Sequence, residues 1–421
     1  MAAEIIDHLR SALAADDAAT VRALLASHPG IRARVDEPAG PFDTPAICHA
    51  RSRAMLDVLL EAGADINARS RWWAGGFGLL DSAAPDLAEY AIARGARVDV
   101  HAAARLGMLD RLRELLTGDP SLVHARGGDG QTPLHVASTV EIAAFLLGEG
   151  ANIDARDVDH ESTPVQYMVE TRQEVARFLV SRGCRTDLLL AAALGDVDLA
   201  RRHLDADPAF IRIRVSDEFF PMADPRAGGT IYQWTLGFHV SPHQVARRFQ
   251  RDAVLALLVE RSPPEVALAD ACWSGDRARA QRVLREQPDL ASRLPPGDRR
   301  LVADAARNNA TAAVELMLEC GWPVEARGQH DATPLHWAAF HGNAAMAAGI
   351  LRIGPPLDAV DRDFNGTPLQ WAVHGSEHGW HARTGDYAAT VEALLAAGAP
   401  PPAEVKGSAA VRDVLRRARG I

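Results

Sequence analysis

Lysine is almost missing from this chain. Among 45 basic residues in 421, Lys406 is the single lysine and the rest are arginine, a bias we read as GC-rich, bacterial codon usage and not as mechanism. Cysteine is scarce as well. Cys48, Cys184, Cys272 and Cys320 are far apart and form no C-x-x-C pair, which argues against a disulfide framework and points to reduced, buried thiols in a cytoplasmic protein. No apolar run reaches the roughly 18 residues of a membrane-spanning helix. Residues 1–10 are acidic and amphipathic and lack the basic start and apolar core of a secretory signal. A net charge of −10 disfavours nucleic acid or an anionic membrane surface as the main partner. No glycine-rich phosphate loop ending in Lys-Ser or Lys-Thr occurs, and no G-x-S-x-G elbow.

The chain is 48% apolar and rich in alanine and leucine. Its most informative stretch is Asp331-Ala332-Thr333-Pro334-Leu335-His336-Trp337-Ala338-Ala339-Phe340-His341-Gly342. Thr333 is placed to cap a helix through its hydroxyl. Pro334 suits the first helical position, where a missing N–H costs nothing. Leu335, Ala338 and Ala339 make a short helix with small side chains, and Gly342 can take the left-handed conformation that ends it. A second helix is expected over residues 343–352. Related phrases begin at Thr44, Thr132, Thr163, Ser241 and Thr367, each followed by proline. Thr132 and Thr163 are 31 residues apart, and Thr333 and Thr367 are 34.

The T-P-L-H-x-A phrase at this period resembles the ankyrin repeat family, in a bacterial-type member. The resemblance implies an all-α, ankyrin-type repeat solenoid of about twelve helix pairs with hairpin-like loops. It also implies that a histidine at the position of His336 hydrogen-bonds backbone across repeats. On this reading residues 1–215 hold an N-terminal array of about seven units and 216–240 an aromatic insertion loop. Residues 241–402 hold about five further units and 403–421 a basic capping helix. A slower period underlies the first: four units lacking Thr-Pro end at Pro29, Pro120, Pro208 and Pro288, which we read as duplication of a block of two or three repeats.

In ankyrin proteins the inner helices and loop tips form a concave face that binds other proteins. Three aromatic loops here exceed what a turn needs: one with Trp72, Trp73 and Phe77, one with Tyr232, Trp234 and His239, and one with His374, His378, Trp380 and His381. Trp337 and Trp371 stand at equal offsets from Thr-Pro in adjacent units. Tryptophan and tyrosine offer large contact area and are enriched at binding hot spots, so these twelve side chains are the candidate partner-binding residues. The stretch His374-Gly375-Ser376-Glu377-His378 matches H-x-x-E-H, a zinc-protease pattern. Gly375, Ser376 and Gly379 weaken the helix that would align its ligands, so the histidines read as loop-packing groups, with a bound metal as the alternative. The acidic turns at 157–159 and 361–363 read as solvated hairpin tips. The resulting expectation is a protein-binding scaffold without catalysis or cofactor of its own. The alternative is a small-molecule or metal site, possibly an enzyme, built from the His- and Trp-rich loops. Neither the protein partner nor the oligomeric state follows from the sequence.

Overall fold

The computed structural model describes residues 2–420. Every regular element among them is helical, and the one β-type contact is an isolated bridge between Pro38 and Pro45. The chain divides into two compact units, residues 1–194 with 215–237 and residues 195–214 with 238–421.

Short helices recur because the same local signals recur. In the first unit, helix Arg53–Ala62 starts where the Ser52 hydroxyl accepts from the Met55 N–H, and it ends at Gly63, whose φ of 97° requires glycine. It turns Met55, Leu56, Val58 and Leu59 inward and buries them against Leu79, Leu80 and Leu87. In the second unit, helix Pro334–Phe340 buries Leu335, Trp337, Ala338 and Ala339, and the helix after it, Ala344–Leu351, buries Met346, Ala347 and Ile350. A helix this short hides too little apolar surface to stand alone, so each leans on its neighbours.

The histidine of the repeat phrase performs the expected bridge. His336 Nδ1 accepts from the Thr333 backbone N–H at 3.2 Å, and Nε2 reaches the carbonyl of Gly366, thirty residues on, at 3.0 Å. His135 does the same between Thr132 (3.0 Å) and the Ser162 carbonyl (3.1 Å). Thr333 stands at the N-cap as expected, in a capping box with His336, and its hydroxyl also bonds the His336 ring at 2.8 Å.

Two expectations are corrected. The acidic hairpin tips are solvated only in part: Val158, Arg362 and Asp363 are exposed, but Asp157, Asp159 and Asp361 are buried. Asp361 accepts from the Asp363, Phe364 and Gly366 N–H groups and from the Trp371 indole. The tip is tight enough to need a carboxylate as its internal acceptor. The C-terminal helix spans Ala409–Arg419 and not the expected 403–421, beginning after Gly407 at φ 99°. All four cysteines are buried and unpaired by disulfides.

Candidate functional site

Equal offsets from Thr-Pro have a geometric consequence in the second unit. Trp337 on helix Pro334–Phe340 and Trp371 on helix Pro368–His378 meet edge to face, with ring centroids 5.1 Å apart. Trp380, just past the second helix, stacks over Trp337 at 6.0 Å and meets Phe340 edge-on at 5.3 Å. The Arg307 guanidinium lies over the Phe238 ring at 3.5 Å and within 5.4 Å of the Trp337 and Trp380 rings. Cation–π contact of this kind fixes an aromatic wall and keeps a charge beside it.

These rings wall a cleft of about 780 Å³. Phe364, from the hairpin tip, forms one lip and is 68% exposed; Trp380 forms another and is 59% exposed. His374, Glu377 and His378 line it from the helix, and Glu404 and Lys406 from the chain after it. The indole nitrogen of Trp337 is buried without a hydrogen-bond partner. The cleft is therefore apolar, with a few polar groups at its edge, as ligand pockets generally are.

The H-x-x-E-H stretch is helical after all, because helix Pro368–His378 runs through it. Gly375 does not weaken the helix so much as let it approach. A Cβ there would stand 2.5 Å from the Phe340 carbonyl oxygen and 3.0 Å from the Tyr387 ring. Gly375→Ala should therefore cost about 1–3 kcal/mol in a urea melt through backbone displacement. His374 and His378 have ring centroids 4.9 Å apart, whereas His381 packs on His341 and Asp386 caps the next helix. Among the described residues these groups form no cluster of three possible metal ligands.

Of the twelve sequence candidates, Trp337, Trp371, His374, His378 and Trp380 come together at this cleft. Trp72, Trp73 and Phe77 lie in the first unit, where Phe42 joins Trp72 at 4.9 Å and Phe77 at 5.9 Å. The Arg226 guanidinium sits over Trp73 at 4.2 Å, so the first two aromatic loops do converge there. Trp234 is 67% exposed. Tyr232 departs from the expectation of a contact surface: it is wholly buried and donates to Asp187 at 3.1 Å. His239 belongs to the second unit, buried beside Asp304 at 3.5 Å. Burial and nearby arginines push its ring down to about 3, so it is a neutral interior group. Phe364 and His330 are cleft residues that sequence reasoning missed, since a single aromatic or histidine in a short turn carries no periodic signal.

A family model for ankyrin repeats, in three copies, matches residues 100–189. Residues 100–189 carry ankyrin repeats. The chain is also similar to ankyrin-containing and other proteins over short stretches. The palmitoyltransferase Hip14 of Drosophila melanogaster is 31% identical over 146 residues, which is 34% of this chain and 21% of that protein. The serine/threonine-protein kinase VIK of Arabidopsis thaliana is 42% identical over 69 residues, 14% of this chain and 16% of its own length. Human protein phosphatase 1 regulatory subunit 27 is 25% identical over 123 residues, 29% of this chain and 77% of its own. The chain thus spans about a fifth or less of the first two relatives, and all three are eukaryotic. Ankyrin repeats imply protein–protein interaction, and no helix among the described residues is long and apolar enough to cross a membrane.

Proposed function

We propose that this chain is a protein-binding scaffold of about twelve ankyrin-type helix pairs, working in the cytoplasm without catalysis of its own. The Thr-Pro and Ser-Pro starts outside the matched segment, at 241, 333 and 367, support extending the repeat pattern beyond it. The arginine bias is our ground for a bacterial source. Reading the chain as an enzyme from its palmitoyltransferase and kinase relatives has little support, because each match covers about a fifth or less of that protein.

One observation carries the reading. The cleft in the second unit leaves Trp380 and Phe364 largely exposed over the buried Trp337–Trp371 pair. Large exposed rings around a dry floor are the arrangement of a hot spot that receives an apolar side chain from a partner. Affinity capture with the full chain, followed by titration of the captured protein, tests it. Trp380→Ala and Phe364→Ala should each weaken binding by about 2–4 kcal/mol, or roughly 30- to 700-fold. Helical circular dichroism should stay unchanged, because both side chains are exposed. If Trp234→Ala abolishes retention and Trp380→Ala does not, the site lies in the first unit. A small apolar molecule is the second reading, favoured by a cleft volume within the small-molecule range.

A further inference from the structure

Three loops of the first unit meet, and they are stapled together by backbone. The Asp129 carbonyl accepts from the N–H groups of Val158 at 2.8 Å and Asp159 at 3.1 Å. The Gly228 N–H donates to the Asp159 carbonyl at 2.8 Å, and Glu161 accepts from the Ala223 and Asp224 N–H groups at 2.8 Å each. Inside this frame stand two carboxylates and an imidazole. His160 is at the focus, its side chain 9% exposed. Its Nδ1 is committed to the Gly229 carbonyl at 2.8 Å. A carbonyl only accepts, so Nδ1 carries the hydrogen, and Nε2 is the ring atom left to take a metal.

That nitrogen has no hydrogen bond. It is aimed between Asp159 Oδ2 at 3.6 Å and Asp129 Oδ2 at 3.8 Å, too far to bond either. The three ligand atoms all lie within 4.8 Å of one another. Ligands at roughly 2.0–2.2 Å from a tetrahedral ion stand roughly 3.3–3.6 Å apart, so small rotations of the carboxylates would close the set. We propose that Asp129, Asp159 and His160 form a binding site for one divalent first-row transition-metal ion, such as zinc or manganese.

Chemistry selects the ion class. Magnesium and calcium take shells built from oxygen, whereas an imidazole nitrogen with two carboxylates suits zinc, iron, manganese or nickel. Charge agrees. Two carboxylates would neutralise a dication placed among them. The outer shell is built as well. Asp157 accepts from the His160 N–H at 2.9 Å, the Ser162 N–H at 2.7 Å and the Tyr167 hydroxyl at 2.9 Å, holding the loop that presents His160. This site lies in the other unit from the aromatic cleft and does not rest on the binding reading above.

The full chain, purified without a tag and stripped with EDTA, would be titrated with zinc chloride, manganese chloride and magnesium chloride. Calorimetry and the thermal midpoint would be read for each. One equivalent of zinc or manganese should bind and raise the midpoint by several degrees, and millimolar magnesium should do neither. Asp129→Asn and His160→Gln, which keep shape, should each weaken that equivalent at least about tenfold. His374→Ala with His378→Ala should leave it intact. Cobalt should give visible d–d absorption that His160→Gln removes. If one variant loses its helical circular dichroism, the other decides. The proposal is overturned if the native chain binds no stoichiometric zinc or manganese, if both variants bind as it does, or if magnesium binds equally well.

Discussion

Replacing Asp270 with alanine should lower stability by about 3–5 kcal/mol in guanidinium denaturation, among the largest losses of any single substitution here. Asp270 sits on helix Pro264–Trp273 with its side chain buried. Arg247 donates to both of its oxygens, at 2.5 and 2.8 Å, and Arg279 donates to one at 2.6 Å. Alanine would leave two half-buried guanidinium groups facing each other across an uncompensated gap. Burial alone would raise the Asp270 carboxyl, but the Arg247 hydrogen bonds, His243 and Arg279 outweigh it and hold the group below the ordinary carboxylate range. Its contribution is therefore full above that range and is lost only as pH falls through the depressed value. Asp270→Asn should cost less, because it keeps an acceptor. Replacing Asp270, Arg247 and Arg279 together by apolar residues of similar size should recover most of the loss, since the penalty lies in the orphaned charge and not in the missing attraction. A triple variant as weak as Asp270→Ala would refute that account.

Stability should also fall steeply as pH drops from 6.5 towards 4. Burial drives the rings of His135 and His239 down to about 3, and those of His243, His336 and His341 to about 4. In the unfolded chain each titrates near 6.5. Between those values the unfolded state binds protons that the fold refuses, so stability is lost on acidification. Each such group contributes a slope of up to about 1.4 kcal/mol per pH unit. Asp129 and Asp304 oppose this. Burial raises each to about 6, so the fold holds a proton there that the unfolded chain has released, and stability gains as pH falls below 6. His49 shifts the same way as these histidines, and Asp81 and Asp157 the same way as these carboxyls; six histidines against four carboxyls leave a net loss. On this balance the loss by pH 4 is comparable with a typical reserve of about 5–15 kcal/mol. Urea melts at pH 7.5, 6.5, 5.5 and 4.5 should show midpoints dropping from 6.5 downwards. Equal midpoints at pH 7.5 and 5 would show that these histidines gain water or carry charge in the fold.

Much of the local structure was legible in the residues. Thr333-Pro334, Thr367-Pro368 and Thr163-Pro164 each precede a helix, and helix Ala344–Leu351 falls within the expected 343–352. A helix start needs only a capping residue, a proline with fixed φ and a few inward apolar groups, all within one turn. The His336 bridge was readable only through the repeat resemblance, because its acceptor lies thirty residues away.

The sites were legible in type but not in membership. Trp337 and Trp371 announce themselves by equal offsets, but Phe364 and Phe238 reach the same aromatic group from a hairpin tip and an insertion. Asp129, Asp159 and His160 look like polar turn residues, and only the Gly228–Gly229 segment, sixty-nine residues from Asp159 and His160, closes over them. Short-range chemistry in the sequence determined the helices, their caps and the recurring phrase, because those depend on neighbours along the chain. The tertiary structure alone decided that Tyr232 is interior, that Asp157, Asp159 and Asp361 are buried, and which loops meet. Those outcomes depend on how distant turns pack, and packing joins residues whose separation no local pattern records.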